Sequence, residues 1–306
     1  MEDFLKELVE KLKELTSMAG DEVFIELHDI CKNNDVTQHS IVIRHEGEKI
    51  SKNIYAEPYF DLNMRGTPLD EIAQTIINIS NDRNYEQTIE KNLVDVTDYD
   101  AVREKLILRL VSKELNEDFL ADKLYVPVGG TDLVAVFYVL VSMDKSGIAS
   151  TAVTRRYEDC WHIKSLDCLY EQALSNTKKL FPPMVKSMGT FASESKLNDM
   201  DEDMLRAADN IMHILSNESA INGATSVLYK DILKDFALAH EVEELVILPS
   251  SRHEVLLLPQ HGEVDYKYCE EMVTEINQYL VDPMDVLSNH VYIYRVDTDE
   301  MTMWMD

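Results

Sequence analysis

Positive charge is in short supply. Against 57 Asp and Glu, the 306 residues include only 29 Lys and Arg, a formal charge of −28 at neutral pH. That balance excludes a phosphate-binding footprint at whole-chain level, because nucleic acid would be repelled rather than steered. Glycine (9) and proline (8) are sparse, which argues against a Gly-rich cofactor loop or a Pro-rich linker. The four cysteines, Cys31, Cys160, Cys168 and Cys269, lack CxxC spacing, so reduced, mostly buried thiols are expected. Long apolar runs are absent too. The longest without charge, Leu133 to Val141 (LVAVFYVLV), falls far short of the roughly 20 residues that span a bilayer. The opening MEDFLKELVEKLKEL interleaves acids with apolar residues and does not read as a signal peptide. A soluble, cytoplasmic protein without membrane contact is expected.

What is present is enough for a core. With 45% hydrophobic residues the chain is not a disordered acidic tail, and its length suits one large domain or two ordinary ones. The acidity is uneven. Residues 1–102 carry 22 acids and 10 bases, residues 103–204 carry 16 and 13, and residues 205–306 carry 19 and 6. The two ends hold nearly all the net charge. Such a field disfavours anionic substrates unless a local patch or a metal compensates.

Periodicity places the elements. Phe4, Leu5, Leu8, Val9, Leu12 and Leu15 recur at helical spacing, with Gly20 as a stop. EVFIELHDI and SIVIRHE, separated by Asn33-Asn34-Asp35, read as paired strands. Thr67-Pro68 opens a helix striped by Leu69, Ile72, Ala73, Ile76 and Ile77. LYVPV, a Gly129-Gly130 turn, DLVAVFYVLVSM and ASTAVT form a β-rich middle, in which LVAVFYVLV suits a strand buried on both faces. A helix is expected over 163–180, ended by Pro182-Pro183. NIMHILS suits a strand, Ser226 to Ala239 a helix, ELVILPSSRHEVLLLPQ two strands around a turn, Tyr266 to Leu280 a helix, and VYIYRVDTDEMTMWM a closing hairpin. The expected class is α+β, mixed, with largely antiparallel hairpins and packed helices. The expected organisation is an N-terminal α+β region (1–120), a middle β-hairpin-plus-helix region (121–185), a polar linker or mobile loop (186–203) and a C-terminal α+β region (204–306).

VPVGGTDLV (126–134) echoes LPSSRHEVL (248–256) in layout: strand, Pro, small-residue turn, acid, strand, with a helix downstream. Two related β-hairpin-plus-helix units would explain this, and chance would serve equally well. The chain also carries KNNDVTQHSIVIRHEGEKISKNIYAEPYF, VPVGGTDLVAVFYVLV, ALSNTKKLFP, LSNESAINGATSVLY, VILPSSRHEVLLLP and VLSNHVYIY. In these stretches, from about residue 20 to about residue 300, it resembles the uncharacterised bacterial domain-of-unknown-function family 5688. Members are similar in an Asn-Asn turn, an Ile-Ser-x-x-Ile-Tyr stretch and a Leu-Pro-Ser-Ser-x-His-Glu-Val turn. This sequence departs at VPVGGTDL, where a bulkier residue before the aspartate is expected. The resemblance implies kinship but no chemistry.

The densest set of reactive side chains is the turn Ser250, Ser251, Arg252, His253 and Glu254 between two apolar strands. It offers a nucleophile with a nearby base, or an anion clamp from Arg252 and turn N–H groups. The structural alternative is ordinary hairpin-turn chemistry, and neighbouring strand residues point to opposite faces, so His253 and Glu254 do not readily address one site. Asp132, in the echoed turn, and His290 complete the candidate binding set, provided the hairpins are neighbours. His213, His253 and His290 with Glu254 are ligand types for a metal, but no HExxH, HxxxH or CxxC spacing supports one, and neither metal nor cofactor is expected. Cys160 and His162 flank Trp161 without forming a recognisable dyad. Arg155, Arg156, Lys164, Lys178, Lys179 and Lys186 concentrate base in the near-neutral middle third and suit a helix surface or an anion patch. GxGxxG, GxxxxGK[ST] and GxSxG are all missing. The expected function is therefore a non-enzymatic protein-interaction or binding module that uses its acidic ends to meet a basic partner. The alternatives are an enzyme or small-ligand binder using the 249–254 turn, and a DNA-mimic-like inhibitor of a nucleic-acid-binding protein.

Overall fold

The computed structural model describes residues 1–19, 23–45, 52–82, 95–144, 147–163, 165–190 and 211–306. Gly20, Lys164 and most of the expected linker (191–203) lie outside them. The chain divides into two compact units. One comprises Met1–Lys32 with Val36–Leu93, the other Asn33–Asp35 with Val94–Asp306. The expected boundary at 120/121 falls inside the second unit, because the strand before it pairs along its full length with the strand after it.

In the first unit, helix α1 (Glu2–Ala19) turns Phe4, Leu5, Leu8 and Leu12 inward, the 3–4 spacing that makes one apolar stripe. Strands β1 (Val23–Cys31) and β2 (Thr37–His45) pair antiparallel from Val23↔His45 to Cys31↔Thr37, and β3 (Ile54–Tyr55) adds to β2. Ile41 and Ile43 alternate inward from β2. Helix α2 (Glu57–Met64) follows, then α3 (Leu69–Asn81) with Pro68 at its N-cap. Ile72, Ala73 and Ile76 close the core. The paired strands and the Pro68 helix start are as expected.

The second unit contains two antiparallel sheets. Short helix α4 (Tyr99–Val102) leads to β4 (Leu106–Ser112), which runs from Leu106↔Val139 to Ser112↔Leu133 along β6 (Leu133–Asp144). Helix α5 (Glu117–Leu120) and strand β5 (Tyr125–Pro127) lie between them in sequence, and β7 (Gly147–Ala152) pairs with the far end of β6. Helices α6 (Arg156–Trp161) and α7 (Leu166–Leu180) come next. A single helix from Ile163 does not form: His162 is left-handed at φ 48°, and Ser165 restarts the helix by accepting the Asp167 N–H.

The other sheet has the order β13-β12-β10-β11-β9-β8. Its strands are β8 (Pro183–Ser187), β9 (His213–Asn217), β10 (Glu244–Pro249), β11 (Val255–Pro259), β12 (Tyr292–Arg295) and β13 (Glu300–Met303). Pro182-Pro183 ends α7 and starts β8, so residues 186 and 187 belong to a strand rather than to a linker. The helix expected from Ser226 is divided into a 3-10 segment (Gly223–Leu228) and α8 (Lys230–Ala239); α9 (Tyr266–Tyr279) precedes the final hairpin.

LVAVFYVLV is indeed buried on both faces. Leu133, Ala135, Phe137 and Val139 enter the main core beside Leu245, Ile247, Leu257 and Tyr292, while Val134 and Val136 meet Phe119 and Leu120 on the reverse side. Both echoed segments are hairpins, closed at Pro127↔Val134 and Pro249↔Val255. Their settings differ: β5 lies at a sheet edge and β10 at a sheet centre. Three cysteines (Cys31, Cys160 and Cys168) are exposed, against the expectation of mostly buried thiols.

Phe137 is 0% exposed at the centre of the main core. Phe137→Ala should lower unfolding stability by about 3–5 kcal/mol, a transfer loss plus a cavity, measured by urea unfolding.

Candidate functional site

Ser250 to Glu254 span the β10–β11 hairpin, and their polar atoms are largely consumed in closing it. The Ser251 N–H donates to the Glu254 carbonyl at 3.1 Å. The Ser250 and Ser251 hydroxyls both donate to Glu254 Oε1, at 3.3 and 3.0 Å, and the His253 N–H donates to Ser251 Oγ at 3.0 Å. Arg252 and His253 turn the other way, onto Asp285. The Arg252 Nε–H donates to Asp285 Oδ1 at 2.7 Å and the Arg252 N–H to the Asp285 carbonyl at 2.7 Å. His253 Nδ1 accepts the Asn222 N–H at 3.2 Å. In the neutral ring the proton is therefore on Nε2, which lies 3.3 Å from Asp285 Oδ1. The imidazole is thus paired with a carboxylate and a backbone amide, not with a serine hydroxyl as a nucleophile–base pair requires.

Behind this turn the backbone is tightly apposed. Ser216 Oγ donates to the His253 carbonyl at 2.8 Å. A Cβ on Gly223 would overlap both of those atoms and come within 2.7 Å of the Asn217 nitrogen. Glycine is required there by space.

Asp132 and His290 belong to a second polar set. Asp132 is 8% exposed and accepts from Tyr292 at 2.6 Å and from Ser112 Oγ at 2.9 Å. Burial, and then the Asp132 charge, hold the Tyr292 phenol well above its ordinary pKa, so it stays a donor. His290 Nδ1 lies 2.9 Å from Glu270 and its Nε2 3.5 Å from Glu114. Burial alone would lower the imidazole pKa. The Glu270 bond, the Asp132 charge and Glu114 outweigh it, and the net shift is upward.

His213 stands elsewhere, edge-on to Phe236 and His240 with ring centroids 4.9 Å apart. Among the described residues no group of three or more His, Cys, Asp or Glu is placed to hold a metal. Trp161 packs on Tyr157 and donates to the Val96 carbonyl, whereas Cys160 beside it is exposed. Of the basic residues of the middle third, Lys178 pairs with Asp231 and Arg156 contacts Tyr157.

A cavity of about 620 Å³ lies elsewhere in the second unit. One wall is the β5–β6 connection from Val126 to Gly130. Others come from α7 (Asp167, Tyr170, Glu171), the 3-10 segment with the start of α8 (Val227, Leu228, Lys230, Leu233), and the β12–β13 hairpin (Tyr294 and Asp299 to Thr302). Gly130, at φ +76°, allows the wall to close against Thr302, whose side chain would lie 3.1 Å from an added Cβ. Among the described residues the lining holds four carboxylates and one cation, Lys230. Lys230 Nζ is 2.9 Å from the Asp299 carbonyl and 4.0 Å from its carboxylate. Tyr294 donates to Asp299 Oδ1 at 2.6 Å, and burial, reinforced by that charge, raises its pKa. The groove combines an apolar and tyrosine-lined floor with an acidic rim.

None of Ser250 to Glu254, Asp132 or His290 lines this groove. The elements that border it, the LYVPV strand with the Gly129-Gly130 turn, the helices expected over 163–180 and from Ser226 to Ala239, and the closing hairpin, are legible in the sequence as elements but not as a site. Asp167, Tyr170 and Glu171 left one trace, their position on one side of a capped helix.

Fold and groove together define an α+β protein of antiparallel sheets with an acid-rimmed cleft. The chain belongs to the family of unknown function DUF5688, whose model matches residues 1–296. No curated protein and no solved structure matches it. Among the described residues no helix is long and apolar enough to cross a membrane.

Two outcomes test these local arrangements. Gly223→Ala should cost about 1–3 kcal/mol in urea unfolding, as overpacking does; unchanged stability would contradict the close apposition. The raised His290 pKa favours the protonated ring in the folded state. Its stabilising contribution is therefore full below about pH 6.5, the unfolded value, and fades as pH rises through the folded pKa. The stability gap between the unmodified protein and His290→Gln should accordingly be larger at about pH 5.5 than at about pH 8.

Proposed function

We propose that the protein is a non-enzymatic binding module whose groove receives a positively charged segment of a protein partner. The supporting observation is the lining of the 620 Å³ cavity: Asp167, Glu171, Asp299 and Glu300 at its rim, with Lys230 beside Asp299. Carboxylates beside apolar and tyrosine surface suit a chain segment that alternates basic and apolar side chains. The charges steer and orient it, and the floor takes up its apolar area. The net charge of −28 adds long-range attraction for any basic partner. A cytoplasmic setting accords with this reading, since no disulfide joins the four cysteines. The turn at 250–254 serves architecture here, because its hydroxyls and imidazole are bonded within the fold.

A short peptide alternating arginine and leucine is the probe, followed by calorimetry at several salt concentrations. The unmodified protein should bind it with affinity that falls as salt rises. Glu171→Gln with Glu300→Gln should weaken binding about tenfold, or about 1.4 kcal/mol. The same pair of changes should leave an alternating glutamate–leucine peptide unbound, as before. Equal affinity of the variant and the unmodified chain would assign the attraction to general surface charge and remove the groove from the account.

A further inference from the structure

Strand β1 of the first unit runs for nine residues, Val23–Cys31, and among the described residues only β2 pairs with it. It is the longest edge strand described. Sheets ordinarily blunt such an edge with a proline, a bulge, a lysine or a very short strand. The sequence VFIELHDIC contains neither proline nor lysine, and its register with β2 is unbroken.

Hydrogen-bond parity shows which backbone groups face outward. The Lys32 N–H donates to the Val36 carbonyl, one step beyond the Cys31↔Thr37 pair. The even-numbered residues of β1 therefore exchange bonds with β2, because such pairs alternate along an antiparallel ladder. The Ala56 N–H, which donates to the His39 carbonyl on the far side of β2, fits the same alternation. The N–H and C=O groups of Ile25, Leu27 and Asp29 thus point to the open edge. Phe24 and Leu27 are exposed there to 59% and 43%.

A second copy of β1 fits this edge in one register. In a two-fold antiparallel pair with its axis at Leu27, Leu27 faces Leu27 of the second copy and Ile25 faces Asp29. All of these are outward-pointing residues, so each pair exchanges two N–H···O bonds. On the other face, Glu26 comes opposite His28 and Phe24 opposite Ile30. Opposite charge and apolar pairs of this kind favour strand pairing. An axis at Glu26 or at Asp29 would oppose two carboxylates, and one at His28 would oppose two imidazoles and set Glu26 against Ile30. Within its own chain Glu26 lies 3.3 Å from His28 and 3.6 Å from Arg44. Both contacts are exposed, and a carboxylate accepts further donors.

We infer that β1 is a self-association edge: two copies of the chain join antiparallel through β1, with the two-fold axis at Leu27, and form one continuous sheet. The interface is isologous and so closes on itself as a dimer.

Sedimentation velocity of the full chain over a concentration series should show a monomer–dimer equilibrium. Each copy carries −28, so added salt should tighten the dimer by screening long-range repulsion, the opposite of its effect on a basic peptide in the groove. Leu27→Pro removes an N–H that β2 does not use, so the β1–β2 ladder survives, and dimer affinity should fall about tenfold or more. His28→Glu sets a carboxylate against Glu26 and should weaken the dimer several-fold; adding Glu26→Lys should restore it. This exchange involves only exposed side chains, so it reports on the register even if Leu27→Pro changes the fold. In a chain whose four cysteines are replaced by serine, Leu27→Cys should form a disulfide-linked dimer under mild oxidation, since facing Cα atoms about 5.5 Å apart suit the bond. Met64→Cys, at a residue 71% exposed, should not. A monomer at every concentration, a dimer indifferent to both Leu27→Pro and the charge exchange, or equal cross-linking at positions 27 and 64 would each overturn the assignment.

Discussion

Strands β6 and β10 bury both of their faces. Phe137 and Val139 face one core and Val134 and Val136 another; Leu245 and Ile247 face the first, while Val246 and Leu248 meet Val273 of α9. A strand enclosed on both sides has no wet face on which to carry charge. Ionised groups are therefore displaced to turns, helix surfaces and sheet ends. With acids outnumbering bases about two to one, those places become acidic by default. The rim of the large groove follows from this: Asp167 and Glu171 lie on the outer part of a helix, and Asp299 and Glu300 at the tip of a hairpin. Arg109 is the exception, a largely buried cation on β4 that donates to Ser150 Oγ and lies over the Tyr138 ring.

Much of the fold was legible because burial periodicity is local. LVAVFYVLV could be read as a two-faced strand from nine consecutive residues, and α1 and α3 from their stripes. The failures have local causes that periodicity does not contain. Left-handed His162 closes the short helix before it, and extended Ser165 delays the helix expected from Ile163 until Leu166. Asn222, also left-handed, leads into a 3-10 turn where a regular helix start was expected. Pro183 opens a strand as readily as it ends a helix, because its fixed φ suits both. β4 finds its partner β6 beyond two intervening elements, and non-local pairing of this kind leaves no mark on adjacent residues.

The candidate site was far less legible. Ser250, Ser251, Arg252, His253 and Glu254 attracted attention by residue type, yet their proximity in sequence reflects a turn that must satisfy its own backbone. Glu254 binds two hydroxyls, and Asp285, thirty-odd residues away, takes Arg252 and His253. The Asn33-Asn34-Asp35 stretch behaves in the same way. The Asn34 amide donates to the carbonyls of Pro283 and Val286, and the Asp35 carboxylate accepts the Asp118 and Phe119 N–H groups. In both stretches the polar side chains bond within the fold. The groove is assembled instead from four separated segments, each unremarkable alone: a Gly-Gly turn, one side of a helix, a 3-10 turn and a hairpin tip.

On the proposed reading, that assembly also bears on selectivity. A surface this acidic attracts every basic partner, and at physiological ionic strength the attraction decays over about 8 Å. Long-range charge therefore raises encounter rates without choosing among candidates. Discrimination has to come from what is scarce on the surface: concave apolar area beside Tyr170 and Tyr294, at a fixed distance from Asp167, Glu171 and Glu300. Tyr294 is held by its bond to Asp299, and Lys230 occupies part of the same carboxylate's field. Asp299 is thus already partly neutralised, while among the described residues Asp167 and Glu171 have no ion pair. A bound segment would place its cation toward α7 and its apolar side chain toward Leu228 and Met301. The groove then reads direction along a chain, which uniform surface charge cannot do.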